Sequence, residues 1–170
     1  MKKISFRNDI LPLKNQLYRL AQRITLDSAE AEDIVQETLI KIWNLRDTWH
    51  EIDNMEAFCL TICRNLSLDS IKKHDNQNKS LDNSQIEHPD SNLSPSEKTI
   101  RRNEISLVKQ IVDGLPEKQR SCIQLRDFEG KSYKDIARVL QMTEGQVKIN
   151  IYRGRQIIKQ KFQELDKFGV

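Results

Sequence analysis

The chain has 170 residues, of which 37% are hydrophobic and 31% charged, and 28 Lys and Arg against 25 Asp and Glu leave a net charge of +3. That length fits one ordinary domain or two small ones, and no stretch approaches the roughly 20 apolar residues of a membrane span. The start MKKISFRND meets charge before an apolar run forms, and the three scattered cysteines make no disulfide framework. A secreted, membrane-spanning or disulfide-stapled protein is therefore not expected, and a cytoplasmic one is.

Apolar residues recur at three and four with no period-2 strand, which predicts an all-α fold. In the first block, residues 1–74, the pattern predicts helices over about 9–24, 27–46 and 53–73. The second helix opens on the capping signal Asp27-Ser28-Ala29-Glu30. Its periodicity buries Val35, Thr38, Leu39, Ile42 and Trp43. The far face carries Glu30, Asp33, Glu37 and Asn44, with Gln36 and Ile40 at its edge, an acidic ridge suited either to a basic partner helix or to plain solubility. The third helix aligns Met55, Phe58, Cys59, Ile62 and Leu66, with Asp69 on the same face. Between the two lies a polar loop, residues 47–53, holding Trp49 and His50. An aromatic there either stacks on an unpaired base or anchors the loop to its own core.

Residues 75–98 are a predicted flexible linker. Fourteen of these 24 residues are Asn, Ser, Asp or Gln, too few apolar groups to offset ordering entropy. Charge divides with the blocks: net zero over 1–74, −3 over 75–98 and +6 over 99–170. The second block, 99–170, holds predicted helices ended by Gly114 and Gly130, a short helix capped by Ser132, and a last helix opened by the capping box Thr143-Glu144-Gly145-Gln146.

The last two helices, about 132–140 and 143–162, are joined by some three residues, the connection length of a DNA-binding helix-turn-helix. On the final helix Val147, Ile151, Gly154, Ile158 and Phe162 form one core stripe. Gly145, Gln146, Ile149, Tyr152, Arg153 and Gln156 then face outward, flanked by Lys148, Arg155 and Lys159. Gln146 and Arg153 have the donors to read base edges, Ile149 and Tyr152 suit thymine methyls, and the flanking cations suit phosphates.

The run Ala31-Glu32-Asp33-Ile34-Val35-Gln36-Glu37-Thr38-Leu39-Ile40-Lys41-Ile42-Trp43 resembles the core-polymerase-binding helix of ECF-type (extracytoplasmic function) alternative sigma factors. Ile62-Cys63-Arg64-Asn65 with Asp69 is similar to the family's next helix. Leu115-Pro116-Glu117-Lys118-Gln119-Arg120, Leu125-Arg126-Asp127-Phe128-Glu129-Gly130, Tyr133-Lys134-Asp135-Ile136-Ala137 and Gly145-Gln146-Val147-Lys148 resemble its C-terminal domain. The resemblance implies a region 2-like domain over 1–74, a linker over 75–98 and a region 4-like domain over 99–170. It implies that Asp33, Gln36, Glu37 and Ile40 face core RNA polymerase. Trp49, His50, Asp53, Asn54, Arg64, Asn65 and Lys72 would then touch the minus-10 element, and Gln146, Lys148, Ile149, Tyr152, Arg153, Arg155 and Lys159 the minus-35 element. Promoter DNA, core polymerase and an anti-sigma factor are the implied partners, with no cofactor. The chain departs from the family at Gln146, where Thr is usual, and at Ile149-Asn150, where Ser-Arg is usual.

Two other classes fit the sequence less well. A free-standing helix-turn-helix regulator would bind duplex DNA alone, and the near-neutral first block argues against that self-sufficiency. A metal protein or enzyme finds no support: Cys59, Cys63, His50 and His74 fit no zinc spacing, and no nucleophile–base pair or glycine-rich phosphate loop stands out. Two promoter elements lie about 70 Å apart, whereas 24 residues as a free coil span only about 25–30 Å, so the linker is expected to be stretched in a promoter complex.

Overall fold

The computed structural model describes residues 3–80 and 100–167, and every regular element among them is helical. Most of the stretch assigned to the linker, residues 81–98, lies outside the described residues. A π-helical turn, Phe6–Ile10, and a 3-10 turn, Leu11–Leu13, lead into α1, Lys14–Thr25. The expected start near residue 9 moves to Lys14 because Pro12 sits in the first turn of the 3-10 segment, where its fixed φ and missing N–H favour a tight turn.

Helix α2, Ser28–Asn44, starts as the capping signal requires, the Asp27 carboxylate accepting from the Glu30 amide at 3.1 Å. Helix α3 is Met55–Ser80. Residues 75–80, which by composition read as linker, continue α3. Their polarity is no obstacle to a helix whose residues 75–77 are all exposed. Leu17, Leu20, Ala21 and Ile24 of α1 meet Ala31, Ile34, Val35 and Ile42 of α2 and Cys59 and Cys63 of α3, all at most 2% exposed. Each buried aliphatic side chain here stabilises the fold by about 1.5–3 kcal/mol.

Two expectations for this core are corrected. Trp43 is 47% exposed, and Trp49 is the buried tryptophan at 8%. Past Asn44 the chain folds back as a 3-10 segment, Arg46–Glu51, which swings Trp49 under the end of α2. There its Nε1–H donates to the Ile42 carbonyl at 3.0 Å, so Trp49 is the anchor of its loop. The α3 stripe of Met55, Phe58, Ile62 and Leu66 is only half-buried, while Ala57, Leu60, Arg64, Ser67 and Ser70 are buried. The reason is that α3 is covered from two sides, by α1 and α2 on one and by α6 on the other. Asp69 is exposed and needs no buried partner.

The second unit comprises α4, Ile100–Asp113; α5, Glu117–Ile123; a π-helical turn, Gln124–Phe128; α6, Tyr133–Leu140; and α7, Glu144–Lys167. Gly130 takes φ 70°, the left-handed conformation that ends the π turn at little cost for glycine. Ser132 caps α6, its Oγ accepting from the Asp135 amide at 3.1 Å. Val147, Ile151 and Gly154 of α7 are buried and Ile158 and Phe162 half-buried, the stripe read from the sequence. The two units pack together, α1 on α5 and α3 on α6.

Candidate nucleic-acid interface and partner surfaces

On α7 the outward face is open. Gln146, Lys148, Ile149, Tyr152, Arg153, Arg155 and Lys159 are all exposed, Ile149 by 49% and Tyr152 by 66%. Large apolar groups left in water on a helix that follows a three-residue turn are the features expected of a major-groove reader. Not every side chain is uncommitted. Gln146 completes the capping box: its Oε1 accepts from the Thr143 amide at 2.9 Å, and Thr143 Oγ1 accepts from the Gln146 amide at 3.1 Å. That leaves the amide Nε2 of Gln146 to donate. Arg155 forks onto Asp127 at 2.5 and 3.2 Å, and Lys148 Nζ stands 5.5 Å above the Tyr133 ring. The hydrogen bond to Asp127 raises the Arg155 pKa, with the Coulomb attraction adding to it.

The α2 ridge is likewise open: Asp33, Gln36 and Glu37 are exposed, and Ile40 by 61%. An exposed isoleucine one turn beyond paired acids makes an apolar edge beside a negative strip, which matches a basic helix with an apolar seam.

The residues expected at the minus-10 element are dispersed. His50, Asp53, Asn65 and Lys72 are exposed, Asn54 is half-buried, and Trp49 is a core anchor. Arg64 is 6% exposed and is a bridge between the units in this arrangement, not an open cation. Its Nη1 donates to the Leu140 carbonyl and its Nη2 to Glu117, all at 3.4 Å. Asp53 is held by Arg138 and Asn54 by Asp135, the latter at 3.4 Å.

One feature beside this loop was not anticipated. Lys3, Ile4, Phe6, Trp43, Arg46, Trp49, His50 and Ile52 line a cavity of about 710 Å³. Phe6 meets the Trp43 ring edge-on at 5.4 Å and stacks on Trp49 at 6.5 Å, while Arg46 lies 4.8 Å above Trp43. The N-terminal segment shows no helical period, so only its local capping pattern foreshadowed order: Ser5 Oγ accepts from the Asn8 amide at 3.3 Å, and Asp9 accepts from the Ser5 amide at 2.7 Å.

Cys59, Cys63 and Cys122 are buried free thiols, each pushed up to about 12 chiefly by burial. Among the described residues no helix is long and apolar enough to cross a membrane.

Residues 10–77 match the family description Sigma-70 region 2, and residues 105–158 match Sigma-70, region 4. The chain is 29% identical over 167 residues to the RNA polymerase sigma-H factor of Pseudomonas aeruginosa, with 92% of this chain and 86% of that protein covered. It is 24% identical over 153 residues to the ECF RNA polymerase sigma factor SigX of Bacillus subtilis, covering 88% and 79%. Among solved structures it resembles the sigma factor RpoE in complex with the anti-sigma factor NepR from Bartonella quintana, with TM-score 0.75, 26% identity and 95% and 98% of the two chains covered. With both region matches in order and likeness along nearly the whole length, the chain belongs to the ECF-type alternative sigma factors, which bind core RNA polymerase and direct promoter-specific transcription initiation.

Proposed function

We propose that residues 1–74 dock on core polymerase and engage the opened minus-10 strand, and that residues 99–170 read the duplex minus-35 element. The observation that carries this reading is the open outward face of α7, where Ile149, Tyr152 and Arg153 stand free on the second helix of a helix-turn-helix. Gln146 contributes as a hydrogen-bond donor, because its acceptor oxygen is held by the Thr143 amide. Arg155 and Lys159 hold phosphates, Arg155 by exchanging Asp127 for a phosphate oxygen. Asp33, Gln36, Glu37 and Ile40 form the polymerase-docking ridge of α2. Around the minus-10 strand, Asn65 and Lys72 are the accessible contacts, and His50, Asp53 and Asn54 form the loop that meets an unpaired base. Trp49 supports that loop from below, and Arg64 reaches the strand once it is released from Glu117.

Such a protein does no bond chemistry; its work is binding and positioning beside the polymerase in the cytoplasm. The Bartonella neighbour carries an anti-sigma factor, and an inhibitory protein partner is part of this proposal.

The test mixes the chain with bacterial core RNA polymerase and follows co-elution on a sizing column. The native chain should co-elute, and the double variant Asp33→Arg with Glu37→Arg should not. Absence of co-elution together with tight duplex binding by the chain alone would replace this reading with that of a free-standing regulator.

A further inference from the structure

Tyr133 opens α6, one residue after the Ser132 cap, and is half-buried. Two cations from different elements come to its ring. Arg126, in the π turn before α6, places its guanidinium carbon 4.3 Å from the ring centroid. Lys148, near the start of α7, places its Nζ 5.5 Å from the same centroid. Arg126 is itself fixed, its Nη1 donating to the Lys131 carbonyl at 2.8 Å across the Gly130 turn. The ring thus ties the turn that precedes α6 to a cation of α7.

The next residue of the same turn makes a parallel tie, Asp127 accepting the fork of Arg155. Lys148 and Arg155 are seven residues apart, which sets them on one side of α7 and about 10 Å apart along its axis. Both are exposed. The two ties differ chemically. A carboxylate neutralises its cation, so Arg155 must exchange Asp127 before it takes a phosphate oxygen. An aromatic face attracts a cation through its quadrupole and leaves the charge in place. Lys148 is therefore steered without being neutralised. A free lysine has much rotamer freedom to lose on binding a phosphate, and one already held in place loses less.

We propose that Tyr133 is a positioning residue for duplex binding: its ring, set by Arg126, holds the Lys148 ammonium in place, so that Lys148 and Arg155 meet one phosphate backbone as a pre-arranged pair. This role rests on the minus-35 reading of α7, since Lys148 meets a phosphate only if α7 meets a duplex. Phosphate contacts carry no base identity. Tyr133 therefore sets affinity and salt dependence and leaves promoter choice to the residues that face the bases.

The probe is a duplex that the polymerase-bound full-length chain retains from a randomised library, titrated at several salt concentrations. Tyr133→Leu should weaken binding about two- to fivefold with base preference unchanged, and Tyr133→Phe, which keeps the ring, should restore it. Lys148→Met should weaken binding and lower the slope of log affinity against log salt by about one. In the Lys148→Met background, Tyr133→Leu should cost nothing further, because its effect passes through Lys148. Additive losses, or a Tyr133→Phe chain as weak as Tyr133→Leu, would overturn the positioning role. One readout needs no variant: the ring should shift the Lys148 methylene protons of the native chain upfield, and random-coil shifts there would overturn the role as well. If no duplex is retained, the minus-35 reading falls and the Tyr133 role with it. If a duplex is retained and Lys148→Met changes neither affinity nor slope, the minus-35 reading stands and the Tyr133 role alone falls.

Discussion

Ile123 of α5 and Gly154 of α7 meet where the two helices cross: a Cβ placed on Gly154 would stand 3.1 Å from Ile123 Cγ1 and 3.3 Å from its Cδ1. Ile123 is 1% exposed, and any side chain at position 154 would force it to shift within the core. The absence of a side chain at Gly154 therefore sets how closely α5 approaches α7. Gly154→Val should destabilise the second unit by about 1–3 kcal/mol through overpacking, read as a lower urea midpoint with unchanged slope. Adding Ile123→Ala should recover part of the loss; a fully additive penalty would show that the two side chains do not compete for the same space.

The tryptophans should be distinguishable in solution. Trp49 is buried and donates to Ile42, whereas Trp43 is half exposed beneath Arg46. Trp49→Phe should cost about 1–2 kcal/mol of stability, from the lost hydrogen bond and the smaller buried ring, and leave emission that iodide quenches readily. Trp43→Phe should leave emission resistant to iodide and change stability by less.

At the start of α7, Thr143→Ala should cost about 1 kcal/mol, because Thr143 Oγ1 caps the Gln146 amide at 3.1 Å. Gln146→Ala removes the other half of the box and an outward donor together. A thermal melt paired with a duplex-binding titration separates the two roles: Thr143→Ala should move the melt, and Gln146→Ala should move both.

The Asp53 carboxyl is held below its ordinary value chiefly by the hydrogen bond from Arg138, opposed by desolvation, with the Arg138 charge lowering it further. A depressed carboxylate supports the paired state above the ordinary value of about 3.9, and that support is lost as pH falls through the lowered value. A carbon-13 titration of the native chain should show Asp53 protonating below that ordinary value, and Arg138→Met should return it upward. An unchanged Asp53 titration in Arg138→Met would exclude this pairing in solution.

The three thiols give a further check on packing. Burial pushes Cys59, Cys63 and Cys122 up to about 12, so thiolate is scarce at neutral pH and access is closed. A thiol reagent should leave the native protein unlabelled over minutes at pH 7.5 and modify all three in denaturant. Rapid labelling of Cys122 alone would indicate that the second unit opens locally.

The local chemistry of this chain was largely decided by its sequence. Asp27, Ser132 and Thr143 cap the helices they precede, because capping is settled within four residues. The stripe Val147, Ile151 and Gly154 faces inward because a single-sided helix has one buried face and its period names it. Periodicity says which residues share a face but not what covers that face. Helix α3 is covered twice, so Arg64 is buried where an exposed cation was expected. The exchange of Trp43 for Trp49 depends on a chain reversal after Asn44, and the extension of α3 through residues 75–80 depends on helix continuation in a polar stretch. The packing of the two units pairs residues about 50 to 110 positions apart, from Arg64 with Glu117 to Arg19 with Glu129. No local pattern carries that pairing; it exists only once the two units have folded and their opposed charges meet.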